Sequence, residues 1–196
     1  KIITFGYPKN DQLIENFIEK KSLIKRGHTN TVLGKEIDCN TKVILYTPTW
    51  RPYKSSGFEL ENLSGFDALD FSNYLKKNNI YLIFSSHPIM DNRVKFSDRV
   101  INLSNHETLV DINNLMLEID ILINDYSTAS IDFCITNKAQ VFCLPDHNKY
   151  TSYVKLPSDY LNALPGNHVS SYCDLKSTID DILSNNIEYI NPKKGS

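Results

Sequence analysis

A chain of 196 residues is long enough to bury one sizeable α/β core and short for two of independent stability. Its 21 basic and 23 acidic residues leave a formal charge of -2, so no global positive field exists to hold nucleic acid or an anionic membrane, and any anion site has to be local. No stretch approaches the roughly 20 apolar residues of a membrane span, and the N-terminus lacks the order of a signal peptide, so the expected location is cytoplasmic, with no direct membrane insertion.

The first predicted element is the apolar run Ile2–Phe5, followed by a helical pattern over Gln12–Lys25 that sets Leu13, Phe17 and Ile18 among polar residues. Arg26–Thr41 is polar and reads either as an extended connection or as a surface loop. A second apolar run, Val43–Thr47, leads into the long polar segment Arg51–Gly65, whose length marks it as a lid or binding loop. Then come a helix over Phe66–Lys77, apolar runs at Tyr81–Ser85, Val100–Leu103 and Ile119–Ile123, a helix over Ser127–Asn137, a run at Val141–Leu144 and a last helix over Leu175–Ser184. The runs are almost continuously apolar, as strands buried on both faces are, and they alternate with helices. The fold class is therefore α/β with a largely parallel sheet.

The four cysteines are widely spaced and form no C-x-x-C pair, so neither zinc nor redox chemistry is indicated; Cys134 and Cys143 fall in apolar runs and read as small buried residues. The chain enters on a strand without a methionine, as a piece of a longer protein would. It ends in Gly-Ser of the kind that cloning leaves, so residues 1–190 are taken as the domain and 191–196 as a tail.

Ligands of open parallel sheets sit outside the carboxyl ends of the strands. There the sequence places "GYPKND", "PTWRP", "HP", "DYSTAS" and "PDHNKY", a gathering of proline, histidine, arginine, acid and hydroxyl groups. In "INDYSTAS" (123–130), Ser127 and Thr128 stand at a predicted helix start with Asp125 in the turn. They serve either as plain caps or, together with unpaired backbone N–H groups, as a phosphate cradle. No glycine-rich turn accompanies them, which excludes a Walker or dinucleotide phosphate loop. Arg51 at a strand end is either a bidentate phosphate ligand or a solvated cation, and neighbouring Trp50 either flanks a base or buries its ring. His87, followed by Pro88, is a general acid, a general base, a cationic partner for a departing phosphate, or a hydrogen-bonded structural residue. His28, His106, His147 and His168 show no metal-ligand spacing and read as surface residues.

These strand-end segments together resemble one family, the glycerophosphotransferases of teichoic acid polymerisation that use CDP-glycerol, with their relatives among bacterial capsule polymerases. "GYPKND" (6–11) resembles a family G-x-P-R-N-D with Lys9 for arginine, and "VILYTPTWR" (43–51) is similar to V-I-L-Y-A-P-T-W-R. "SSHP" (85–88) corresponds to K-x-H-P without the lysine. "DINNLMLEIDILINDYSTASIDF" (111–133) resembles D-I-N-E-L-L-x-x-A-D-V-L-I-T-D-Y-S-S-x-x-F-D, and "LPGNHV" (164–169) parallels a P-G-P turn with Asn167 for the second proline.

The resemblance implies a Rossmann-like parallel sheet with helices on both faces, the C-terminal, donor-binding half of a GT-B fold whose acceptor-binding N-terminal domain is absent. It implies a polyol-phosphate transferase that moves a glycerophosphate-type group from a CDP-activated donor to a growing teichoic acid or capsule polymer, at the inner face of the cell membrane. Ser127 and Thr128 would hold the pyrophosphate, and Arg51 with His87 would neutralise charge on the leaving phosphate. Asp132 would take a ribose or glycerol hydroxyl unless it faces solvent, Thr49 would be a further donor-binding residue, and Asp125, also counted as donor-binding, would orient the turn; Asn10 and Asp11 are expected to play an orienting part beside the first strand. Neither a metal nor a cofactor beyond the donor is implied, and the fragment is expected to bind donor without turnover. The departures at Lys9, Ser85 and Asn167 leave two alternatives standing: a GT-B glycosyltransferase using a CMP- or UDP-activated sugar for surface polysaccharide, and a noncatalytic nucleotide-binding domain.

Overall fold

The computed structural model describes residues 8–20, 26–53, 57–85, 97–103 and 110–185. Its strands are β1 (Lys42–Thr47), β2 (Ile80–Phe84), β3 (Val100–Asn102), β4 (Ile121–Asn124), β5 (Ala139–Cys143) and β6 (Asn167–Val169). Its helices are α1 (Lys9–Lys20), α2 (Gly27–Leu33), α3 (Ala68–Lys77), α4 (Ile112–Met116), α5 (Ala129–Phe133), α6 (His147–Tyr153), α7 (Tyr160–Ala163) and α8 (Tyr172–Asn185). The predicted strand Ile2–Phe5, the end of the predicted first helix, and His87 and His106 all lie outside the described residues.

The strands form one sheet in the order β3-β2-β1-β4-β5-β6, and every pairing is parallel. The chain winds outward from β1 through β2 and β3, returns to the centre as β4, and winds outward the other way. That reversal leaves a crevice between the carboxyl ends of β1 and β4, because the connections there depart in opposite directions. Thr47 pairs with Asn124, so the two strand ends stand level.

Successive side chains divide the core in two. Ile44, Tyr46, Leu82, Phe84, Ile121, Ile123 and Val141 face Phe71 and Leu75 of α3 and Leu175 and Ile179 of α8. Val43, Leu45, Ile83 and Leu122 face Val32 of α2, Leu115 and Met116 of α4, and Phe133 of α5. Helices cover both faces, so the strands have no solvated side and their apolar runs need no polar alternation.

Four features depart from the sequence reading. The polar stretch after Arg26 contains α2, which lacks a side-chain cap of its own; instead Glu118, from the turn after α4, accepts the N–H groups of Thr29 (2.8 Å) and His28 (3.3 Å). A carboxylate remote in sequence thus satisfies the helix start and complements its dipole. Secondly, the expected lid is a packed strap over its described part: Phe58, Leu60 and Leu63 are buried in the core, and the Glu59 N–H donates to the Tyr46 hydroxyl at 3.1 Å. Its hydrophobic residues, scattered without period, had hidden that.

The helix expected over Ser127–Asn137 begins two residues later and tightens into a 3-10 turn over Cys134–Thr136, ending at Asn137 in the left-handed region (φ 55°). On this outer turn Cys134 is exposed, contrary to expectation, and its thiol donates to the Ser130 carbonyl; Cys143 is buried as expected. Lastly, "LPGNHV" contributes the edge strand β6. Gly166 permits it: a Cβ there would stand 2.3 Å from the Gln140 carbonyl oxygen of β5.

Candidate functional site

The crevice is closed at its base by one carboxylate. Asp125, at the end of β4 and 1% exposed, accepts the Thr49 N–H with both oxygens at 3.0 Å and the Thr49 hydroxyl at 2.6 Å. Thr49 lies two residues beyond β1, so Asp125 ties the two strand ends across the switch point. Asn124 supports the same turn: its amide donates to the Ser127 carbonyl at 3.1 Å, and its oxygen accepts the Asp125 N–H and the Thr47 hydroxyl.

Arg51 is fully buried, and its guanidinium is engaged on every side. Nη1 lies 3.0 Å from Asp125 and donates to the Thr49 carbonyl at 2.8 Å; Nε and Nη2 donate to the two oxygens of Asp146 at 2.8 and 3.2 Å. The guanidinium carbon stands 5.1 Å from the ring centre of Tyr126 and 4.7 Å from that of Tyr150, two rings that stack on each other at 3.8 Å, and the Tyr53 hydroxyl also donates to Asp146 at 2.6 Å. Burial by itself would favour neutral Arg51, but the hydrogen bond to Asp146 and the charge of Asp125 outweigh it and raise its pKa. Burial would likewise raise the Asp146 carboxyl, yet the hydrogen bonds from Arg51 and Tyr53 hold it below the usual carboxylate range. Arg51 therefore fastens the β1, β4 and β5 loops to one another, a structural use of the bidentate fork that the family resemblance assigned to phosphate and that leaves no solvated cation.

Above this base stand the hydroxyls. Ser127 is half-buried and its Oγ accepts the Ala129 N–H at 3.3 Å; Thr128, the residue before α5, is exposed and makes no capping bond. Trp50 is 45% exposed, so of its two readings the buried ring is excluded. Asp132 is buried, not solvent-facing: Asn10 of α1 donates to it at 3.0 Å, which fixes α1 against α5. Its neighbour Asp11 is exposed, with its N–H bonded to the Pro8 carbonyl at 3.1 Å. Thr49, Arg51, Asp125, Ser127 and Thr128 are thus brought to one crevice, Asp132 sits on the adjoining helix, and His87 lies outside the described residues. His147, read from sequence as a surface residue, is half-buried with Nδ1 3.1 Å from the Tyr126 hydroxyl.

A family model described as CDP-Glycerol:Poly(glycerophosphate) glycerophosphotransferase matches residues 1–194. The chain belongs to this family. Among its relatives, a teichoic acid glycerol-phosphate transferase of Staphylococcus aureus is 29% identical over 97% of the chain and 47% of its own length. The teichoic acid ribitol-phosphate polymerase TarL of the same organism is 28% identical over 92% of the chain and 31% of its own length. A structure of the wall teichoic acid polymerase TagF, from crystals soaked with CDP-glycerol, superposes with a TM-score of 0.69 at 26% identity, covering 96% of the chain and 44% of the polymerase. The chain spans less than half the length of each.

Sequence reading missed Asp146, Tyr53, Tyr126 and Tyr150, although "PDHNKY" stood among the strand ends. No sequence signal pointed to them: a buried arginine needs carboxylates, but the burial of Arg51 is visible only in the fold. Among the described residues no group of three or more His, Cys, Asp or Glu is placed to hold a metal ion, and no helix is long and apolar enough to cross a membrane.

Proposed function

We propose that this chain is the donor-binding half of a polyol-phosphate transferase, which passes a glycerophosphate-type group from a CDP-activated donor to a growing teichoic acid or related surface polymer. The observation that carries the reading is the position of the family's Asp125-Tyr126-Ser127-Thr128 turn at the switch point of the sheet, with the Thr128 hydroxyl exposed and Ser127 half-exposed. An acceptor hydroxyl oxygen attacks the β-phosphorus, the bond to the bridging oxygen breaks, and CMP departs with the electron pair. The hydroxyl proton passes to a base supplied by the other half of the enzyme. Such chemistry depends on positioning and on stabilising phosphate charge.

In this reading Ser127 and Thr128 hold the pyrophosphate, and His87 stabilises the departing phosphate. Arg51 and Asp125 act through them by fixing the turn and the Thr49 loop, and Asp132 places the start of α5 through Asn10. Work at the inner membrane face belongs to the whole enzyme. Relatives that carry glycerol phosphate and ribitol phosphate match at nearly equal identity, so CDP-glycerol and CDP-ribitol are both donors to test. Thermal unfolding of the chain with CDP-glycerol, CDP-ribitol, a CMP-sugar and a UDP-sugar should show stabilisation by a CDP-polyol. Stabilisation by the UDP-sugar alone would overturn the proposal.

A further inference from the structure

A cavity of about 560 Å3 opens between α6 and α7, next to the carboxyl end of β5 and so beside the donor turn. Its size lies within the range of small-ligand sites. Polar and apolar groups share its wall: His147, Thr151, Lys155, Ser158, Tyr160 and Asn162 line it together with leucine and proline side chains, and no carboxylate does among the described residues. Tyr126 links the donor turn to this wall. It follows Asp125 directly, its hydroxyl meets His147 Nδ1, and its ring lies 6.1 Å from that of His147 and 6.0 Å from that of Tyr160. Burial pushes the Tyr160 hydroxyl up to about 12, so at neutral pH it remains a donor.

We propose that this cavity binds a polyol phosphate, its ammonium and hydroxyl donors taking the phosphate and its amide and remaining hydroxyls the polyol. An ammonium, three hydroxyls, an amide and an imidazole suit a flexible, anionic, polyhydroxylated chain. Six convergent polar side chains with a cation among them exceed what the edge of an uncharged nucleobase would use. Two sources share this chemistry, the group being transferred and the end of the growing polymer, and both rest on the transferase reading above.

The test is calorimetry of the 196-residue chain with three probes: CMP, CDP-glycerol, and a phosphorylated dimer of glycerol phosphate. Lys155→Ala and Asn162→Ala alter exposed side chains, so the fold is retained. If the cavity holds the transferred group, Lys155→Ala weakens CDP-glycerol about tenfold, the loss of roughly one charge-assisted hydrogen bond, while CMP binds as before. If it holds the polymer end, CDP-glycerol is unaffected and the dimer weakens by a similar factor. Affinities for CDP-glycerol and dimer that both survive the two substitutions overturn the inference. Absence of CMP binding to the unaltered chain would refute the donor reading instead, and leave the cavity to be judged on the dimer.

Discussion

Removing the Arg51 side chain should damage the fold more than an exposed phosphate ligand would. Arg51→Met keeps most of the volume packed against Tyr126 and Tyr150 but leaves Asp125 and Asp146, which are 1% and 15% exposed, without their shared cation. Breaking a buried pair from one side costs about 3–5 kcal/mol, and the lost stacking of the cation on the rings adds about 1 kcal/mol. Against a typical domain stability of about 5–15 kcal/mol this is a large fraction, and the first figure alone corresponds to a melting temperature lower by about 6–20 °C in a chain of this size. Arg51→Lys should fall between, since a point charge cannot span both carboxylates. The pH dependence has a definite sign. Asp146 is depressed in the folded protein, so its contribution is present above its unfolded value near 3.9 and is lost as pH falls through the folded value. Arg51→Met lacks that contribution, so the gap between variant and parent narrows below about pH 4. Urea unfolding at pH 7 and at about pH 3 measures it, and Asp146→Asn added to Arg51→Met should restore about 1 kcal/mol or more. A variant within about 1 kcal/mol of the parent at pH 7 would refute the structural role of this cation.

Thr128→Ala should leave thermal stability within about 0.5 kcal/mol, because its side chain caps nothing, yet weaken CDP-glycerol severalfold by calorimetry; equal affinity would remove Thr128 from the site. Gly166→Ala should cost at least about 1–3 kcal/mol in urea unfolding, since the clash is with rigid backbone of β5. Glu118→Ala should cost about 1–2 kcal/mol and speed amide exchange at Thr29 and the start of α2, while core strands retain their protection; unchanged exchange there would contradict the remote cap.

Much of the fold was legible because burial on both faces writes itself directly into composition. β1, β2, β3, β4 and β5 were found within two residues of their ends, and α3 and α8 by their periodic apolar positions. What escaped depends on partners far away in the chain. α2 is held by Glu118, β6 by the close approach of Gly166 to Gln140, and the strap by Phe58, Leu60 and Leu63, whose spacing follows no period. At the site, the turn around Ser127 could be placed from its position after an apolar strand. The partners of Arg51 could not, because three loops meet only after the sheet has ordered its strands.

The trio of Arg51, Asp125 and Asp146 also constrains how the sequence can drift. Each member answers for the charge of the others inside the protein, so replacing any one passes through a poorly folded intermediate. The three positions are therefore expected to change together or not at all, while the exposed rim of the cavity beyond Tyr126, with Lys155 and Asn162, is free to be revised residue by residue. A sheet fastened in this way separates two evolutionary rates within a few ångströms: a slow foundation that keeps the donor turn in place, and a fast rim on which a new polyol can be tried without risking the fold.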